Sequence, residues 1–392
     1  MKICIKRGSN QIGGSCVELE QNGRTLIVDL GLPLNAEENS EALLPDINFE
    51  CVSGVLISHP HADHYALAHF IDKDIPVYIG AAAAGIIDAG NSYMPLKVEL
   101  GKTLLFKDRE SFTAGPFKVT PYLMDHSAYD SYAFLIEAGG KRVFYSGDFR
   151  AHGRKRSLFE KLIKNPPKDI DLLLLEGTAI GRAEEEFETE ESLEEKFEKV
   201  FKETPGIAAV MSSAQNIDRL VTIYKAAARS GRTLVLPPHA VLISMKTGNK
   251  NIPGFKFPLV KKYTHNTRCR HEIGIDTIMR APEKYAIFLK YSITADLLKN
   301  NLFKNAAFIY SMWEGYKNEE RTAAIFDKIK EQGATMYDIH TSGHADIPTL
   351  KKLAIALKPR IITPLHTAAP ERFVKIFGTN VKIRKDGGVF EL

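Results

Sequence analysis

The chain has 392 residues, 44% hydrophobic and 26% charged, which is the balance of a folded globular protein and argues against a disordered or fibrous one. Its length accommodates two domains, and a net charge of +4 permits an anionic substrate without demanding one, so any nucleic-acid surface has to come from local clustering. Cys4, Cys16, Cys51 and Cys269 lie singly, which argues against a thiolate zinc site or a disulfide framework, and no run approaches a membrane span; a cytoplasmic protein is expected.

Taken in order, Ile3 to Lys6, Ser15 to Glu20 and Thr25 to Asp29 read as strands joined by turns at Gly13-Gly14 and Asn22-Gly23. Asp29 follows an apolar strand and serves either as support for a neighbouring polar loop or as a strand-end turn former. A short aliphatic strand, Val52 to Ile57, then opens into His59-Pro60-His61-Ala62-Asp63-His64. Imidazoles and a carboxylate suit zinc and its first-row neighbours, and their crowding within six residues makes sense around a positive ion. In an extended backbone His59 and His61 point the same way and clasp one ion, while Asp63 and His64 turn toward a second. A helix is expected to begin at Ala66.

Val77 to Gly80 reads as a strand, Ala81 to Ala89 as a helix, and Leu104 to Tyr122 as a hairpin-like section that delivers His126. A second hairpin, Tyr132 to Tyr145, delivers Asp148, with Arg150, His152, Arg154, Lys155 and Arg156 close behind. Two metals need more donors than one hexapeptide supplies, so His126 and Asp148 are the natural additions. The basic residues are either phosphate contacts or a charged surface turn.

Asp169 to Leu175 is an apolar strand ending at Glu176, typical of a strand covered on both faces. Residues 183 to 204 then read as an amphipathic helix with Phe187, Leu193, Phe197 and Val200 on its apolar side and the charges on a solvated face. Strands and helices alternate from 205 to 340 as a parallel α/β layer, while residues 245 to 280, rich in Lys, Arg, Gly and Asn, carry no assignable pattern, a loop over the cleft being one option. Gln215, Asn216 and Arg219 either face a cleft or cap a helix, and Trp313 and Tyr316 either stack on a base or pack in the core. The tail returns polar chemistry in Ser342-Gly343-His344 and Pro364-Leu365-His366, with a helix and a strand between.

In the order Asp29, His59-x-His61-x-Asp63-His64, His126, Asp148, Glu176, His344 and His366, the whole chain resembles the β-CASP branch of the metallo-β-lactamase superfamily, nucleases of the RNase J and polyadenylation-endonuclease kind. The resemblance implies an α/β protein, a metallo-β-lactamase αβ/βα sandwich built from 1–180 and 341–392 with an inserted α/β β-CASP domain at 181–340. It implies two divalent ions, zinc first with manganese as the alternative, His59, His61 and His126 on one, Asp63, His64 and His366 on the other, and Asp148 between them. The implied activity is hydrolysis of single-stranded RNA, endonucleolytic or 5′-to-3′ exonucleolytic. A hydroxide between the metals is the nucleophile, Asp63 a ligand and proton acceptor, and His344 oriented by Glu176 the group that assists the phosphoryl or leaving oxygen. Arg150, Ser342, Gly343 and His344 are the expected substrate contacts. A DNA-acting nuclease and a small-molecule hydrolase are the alternatives, no membrane partner is expected, and a homodimer is one option for assembly. Since this sequence ends soon after His366, the C-terminal domain associated with assembly in RNase J is not expected, and the resemblance does not by itself imply a dimer. Thr367-Ala368-Ala369 stands where a Gly-Glu pair is common in that group.

Overall fold

A computed structural model describes residues 1–93, 97–181 and 186–392 of the chain. These form two compact units, Met1–Phe187 with Gly343–Leu392, and Glu188–Ser342.

The first unit begins with β1 (Lys2–Arg7), β2 (Cys16–Gln21), β3 (Arg24–Val28), β4 (Val52–Leu56), the short helix α1 (Ala62–Tyr65), β5 (Val77–Gly80), α2 (Ala81–Asn91) and β6 (Thr103–Phe106). The first three strands pair antiparallel and the rest join in parallel. Next, β7 (Phe112–Ala114), β8 (Phe117–Met124), β9 (Ser131–Ala138) and β10 (Lys141–Tyr145) pair antiparallel, and beyond α3 (Arg156–Lys164) strand β11 (Leu172–Glu176) lies parallel to β10. The expected hairpin from Leu104 is therefore corrected. Leu104 lies on β6, a parallel edge strand of the first sheet, and the hairpin begins only at Phe112.

The second unit runs α4 (Glu190–Glu203), β12 (Ala208–Met211), α5 (Ile217–Arg229), β13 (Thr233–Leu236), α6 (Pro238–Lys246), β14 (Val260–Tyr263), β15 (Glu272–Ile273), α7 (Ile275–Arg280), β16 (Tyr285–Phe288), α8 (Tyr291–Lys299), β17 (Ala307–Tyr310), α9 (Glu320–Glu331) and β18 (Thr335–Asp338). Among the described residues its strands form one wholly parallel sheet in the order β15-β14-β13-β16-β12-β17-β18. Residues 245–280, which the sequence leaves unassigned, hold the end of α6, strands β14 and β15 and helix α7; β15 is the edge of the sheet, and β14 pairs with both β15 and β13. In β14 only Val260 and Tyr263 are buried while Lys261 and Lys262 are partly exposed, so the strand lacks the apolar run or alternation by which a strand reads in a sequence.

The helix expected over 183–204 begins at Glu190, where the Thr189 hydroxyl accepts from the Ser192 backbone N–H; 183–185 lie outside the described residues, and Phe187 precedes the helix. Nor is its acidic side wholly solvated. Glu190 is buried on Arg219 and Glu194 is buried near Arg229.

The chain re-enters the first unit as α10 (Ile347–Leu357), β19 (Ile361–Leu365), α11 (Pro370–Phe377) and β20 (Val389–Glu391). Among the described residues the two sheets there run β20-β1-β2-β3-β4-β5-β6 and β19-β11-β10-β9-β8-β7. Their facing sides interdigitate, Ile3, Leu26 and Val28 against Phe117, Phe134 and Leu172. The outer face of the first sheet buries Val55 and Ile79 against Ala83 and Ile87 of α2, and that of the second buries Leu173 and Leu175 among Phe159, Leu350 and Phe373 of the flanking helices. The result is helix, sheet, sheet, helix. Strand β11 shows how the sequence dictates it, because Leu172 and Leu174 face one core and Leu173 and Leu175 the other.

Candidate metal centre

Strands β8, β10, β11 and β19 all run in one direction, given two antiparallel steps through β9 and then parallel pairing. Their C-terminal ends therefore share one edge of the second sheet. From that edge come His126, Asp148, Glu176 and His366, and a backbone bond of 2.9 Å from Tyr132 N to Ser58 O ties in the end of β4, which carries His59, His61, Asp63 and His64. The helix starts at Ala62, inside the motif, rather than at the expected Ala66, so Asp63 and His64 sit on the turn of α1.

That turn is gripped from below. Ser15 N, Leu30 N and Leu32 N donate to the carbonyls of Asp63, His64 and Ala62, and a Cβ on Gly31 would overlap the Asp63 carbonyl, so only glycine allows this approach.

The donor atoms converge. His61 Nδ1 lies 3.2 Å from His59 Nε2 and 3.4 Å from His126 Nε2. For a metal bound by imidazole at about 2.0–2.1 Å, the edge of a tetrahedron is about 3.3 Å, so these spacings fit one ion. His366 Nε2 lies 3.2 Å from Asp63 Oδ2, and Asp148 Oδ2 lies 3.1 Å from His64 Nε2 and 3.9 Å from His59 Nε2, which puts Asp148 beside both groups. His59, His64, His126, Asp148 and His366 are almost completely buried.

The outer nitrogens are already committed, which fixes what the inner ones offer. His59 Nδ1 faces Ser58 Oγ at 3.0 Å, His64 Nδ1 faces Asp29 Oδ2 at 2.7 Å, His126 Nδ1 faces the Gly343 carbonyl at 2.5 Å and His366 Nδ1 faces Thr178 Oγ1 at 2.7 Å. With protons on those atoms, His59, His126 and His366 present an Nε2 lone pair inward, while burial of His64 is outweighed by Asp148, Asp63 and Asp29, which raise it well above the usual histidine range, so that a cation there would replace the proton on its Nε2. His64 Nε2 is buried with the Asp148 carboxylate 3.1 Å away and Asp63 Oδ2 at 3.7 Å, an anionic setting that suits a cation. The residues present therefore fit a pair of divalent cations.

Asp29 anchors this arrangement as the sequence allowed. Its carboxylate accepts from Ser58 N, Ser58 Oγ, His64 Nδ1 and Tyr145 Oη at 2.6–2.8 Å, and it holds φ 58°, a left-handed conformation that Asp tolerates well at a strand end. His366 is likewise held at φ 51°, with its N–H donating to the Gly8 carbonyl.

Electrostatics follow from burial and neighbours. Burial and the adjacent imidazoles hold His59 and His126 well below the usual histidine range, and burial brings His61 down to about 4, so these three stay neutral as metal ligands must. Burial alone would raise Asp63 and Asp148, yet the surrounding imidazoles hold both below the usual carboxylate range. His344 goes the other way. Burial would lower it, but Glu176 and Asp148, whose oxygens stand 3.5 and 3.7 Å from Nδ1, raise it. Glu176 is itself buried and accepts from the backbone N–H groups of Phe149, Thr178 and Ala345.

Among the expected substrate contacts, Arg150 is corrected. It is fully buried and paired with buried Asp125, so its charge is compensated inside the fold and is not offered to a phosphate chain. Gly343 faces His126 through its carbonyl, and a Cβ there would overlap Ser127. Ser342 is the last residue of the second unit. In that unit Asn216 caps α5 by accepting from Arg219 N, and Arg219 is buried on Glu190, the plainer of the two readings for both. Three supporting groups escaped sequence reasoning: Ser58, Tyr145 and Thr178. Only Ser58, adjoining the hexapeptide, carried a signal.

Residues 36–239 match the family described as the beta-lactamase superfamily domain. The chain is similar to proteins named Ribonuclease J from Mycoplasma pneumoniae (23% identical, 93% of this chain and 67% of that one), Helicobacter pylori strain 26695 (24%, 93% and 56%) and Mycobacterium tuberculosis H37Rv (23%, 93% and 68%). It thus spans between about half and two thirds of the length of these relatives. A crystal structure of a protein of unknown function from Enterococcus faecalis V583 shares the fold, with a TM-score of 0.83 at 20% identity over 100% of this chain and 99% of that one.

Proposed function

The chain belongs to the beta-lactamase superfamily, and on that premise we propose that it is a metal-dependent nuclease that hydrolyses phosphodiester bonds of single-stranded RNA. The observation that carries the reading is the set of buried imidazoles whose outer nitrogens are occupied and whose inner nitrogens converge with Asp63 and Asp148. RNA as the substrate is supported by the Ribonuclease J name that the similar proteins share, and the unit Glu188–Ser342 is read as the inserted β-CASP domain.

His59, His61 and His126 would hold one ion, Asp63, His64 and His366 the other, with Asp148 shared; zinc is the first candidate because the donors are mostly imidazole. Bound there, such ions polarise phosphate oxygens and acidify water. The chain's own part is positioning and proton transfer. Asp63, kept ionised by His64 and His366, accepts a proton from the attacking water, and His344, kept protonated at Nδ1 by Glu176 and Asp148, meets the charge on the phosphoryl oxygens or protonates the leaving oxygen.

The test uses purified protein with zinc or manganese and RNA labelled at its 5′ end, bearing a monophosphate or a hydroxyl, with a DNA version alongside. Labelled mononucleotide released only from the monophosphate substrate identifies a 5′-to-3′ exonuclease, and internal fragments indifferent to the 5′ group an endonuclease. No cleavage of either RNA under both metals overturns the reading. Cleavage that survives in both Asp63→Ala and His344→Ala overturns the assigned roles.

A further inference from the structure

The second unit carries a built feature that the metal centre does not use. Trp313, the only tryptophan of the chain, is 45% exposed just beyond β17, and Tyr316 beside it is 40% exposed. Leaving that much aromatic surface in water forgoes part of the gain from burying it.

The indole is held in place while nearly half of it stays exposed. The Tyr310 hydroxyl donates to the Trp313 carbonyl at 2.8 Å, and the Tyr316 ring meets the indole edge-on with centroids 5.3 Å apart at 89°. Gly315 completes the cradle, because a Cβ there would overlap the six-membered ring of the indole. Two cations follow the same edge of the sheet: Lys317, 5.1 Å from the Tyr310 ring centroid and paired with Asp338 at 2.6 Å, and Arg321, whose guanidinium lies 3.8 Å over Tyr291, a further exposed aromatic that opens α8 after β16. Strands β16, β12 and β17 are parallel neighbours, so these residues all follow the C-terminal edge of one sheet, the edge at which open α/β layers receive ligands.

We propose that Trp313, seated by Gly315 and Tyr316, is a stacking platform for the bases of single-stranded nucleic acid. The inference rests on the nuclease reading above and adds to it a base-dependent part of substrate binding. An indole face takes any base, because every base presents a π surface, and a preset ring gives up little freedom on binding. A basic surface alone would recognise the phosphate chain equally well with the bases removed.

The single tryptophan makes the test direct. The full chain is titrated with an unlabelled 12-mer RNA whose phosphorothioate linkages resist hydrolysis, and with an oligomer of the same length and charge that lacks bases; tryptophan emission is followed. Affinities are read separately by anisotropy of fluorescein-labelled copies. The expected result is quenching by the RNA and not by the base-free oligomer, with affinity for the RNA lowered about tenfold in Trp313→Ala, less in Trp313→Phe, and also lowered in Gly315→Ala, which displaces the ring without removing it. Thermal unfolding of each variant checks that the fold is kept, and the emission of the unsubstituted protein is decisive should a variant fail to fold. RNA that binds without moving the emission, or equal quenching by both oligomers, overturns the platform and leaves the nuclease reading standing. Failure of the unsubstituted protein to bind any oligomer overturns both.

Discussion

Thr178 supports the metal centre through one hydroxyl. Its hydroxyl accepts from His366 Nδ1 at 2.7 Å and donates onward to the His366 carbonyl at 3.3 Å, which sets the tautomer of a ring held at φ 51°. Thr178→Val keeps the shape and removes the acceptor, so Nδ1 loses its partner and either tautomer becomes open to the ring. Metal affinity measured by competition with a chelator should fall by about 10–100-fold while the unfolding midpoint changes little; unchanged affinity would show that this hydrogen bond does not orient the ligand. His239 in the second unit gives a prediction of another kind. It is 8% exposed, and burial, with Lys290 nearby, pushes it down to about 4. A histidine that is harder to protonate when folded than when unfolded leaves the unfolded state holding more protons between about pH 4 and 6.5, so stability rises with pH across that window and is lost as pH falls through it. The size is about 3 kcal/mol on the same basis. His239→Gln should flatten the difference in urea midpoint between pH 7 and pH 4.5; an identical slope in both proteins would remove His239 as its source.

At the scale of elements, helices α4 and α5 are locked by a buried charge pair. Arg219 donates to Glu190 at 3.0 and 3.1 Å and also reaches Ser311, and Thr222 Oγ1 donates to Glu190 Oε2 at 2.7 Å. Removing one partner strands a charge in the core, so Arg219→Met alone should cost roughly 3–5 kcal/mol by urea unfolding, whereas pairing it with Glu190→Leu should recover most of the loss. A double variant as unstable as the single one would show that the hydrogen bonds, and not the stranded charge, carry the cost. Glu190 and Arg219 also show what a sequence hides. On a helical wheel the glutamates of α4 look like a solvated face, since the cation that buries one of them lies on a different helix. Arg150 misled in the same way, its partner Asp125 lying a strand pair away. The hexapeptide His59–His64 was legible because its chemistry is concentrated in sequence, and the alternation of strand and helix because periodicity is local. Thr178 and Tyr145 were not, since nothing distinguishes a hydroxyl that supports a ligand from any other until its tertiary partner is known.

For the molecule as a whole, the buried donor cluster couples folding to metal binding. Folding takes His59, His64, His126, Asp148 and His366 out of water and crowds their donor atoms together. Ions that bind the folded chain and not the unfolded one offset that loss by mass action, about 4 kcal/mol for each site when the free metal is a thousand times its dissociation constant. Chelation should therefore lower the unfolding midpoint by on the order of 10 °C in scanning calorimetry for a protein of this size, reversibly on adding zinc back. The dependence should also weaken as pH falls, because protons compete with metal for imidazole nitrogen. Asp148→Ala, which removes the carboxylate next to both groups of imidazoles, should start from a lower midpoint in zinc and respond much less to the chelator. A midpoint indifferent to chelation in the unsubstituted protein would mean that the cluster is held by its own hydrogen bonds and charge pairs. The hydrolytic reading would then lose the ions on which it depends.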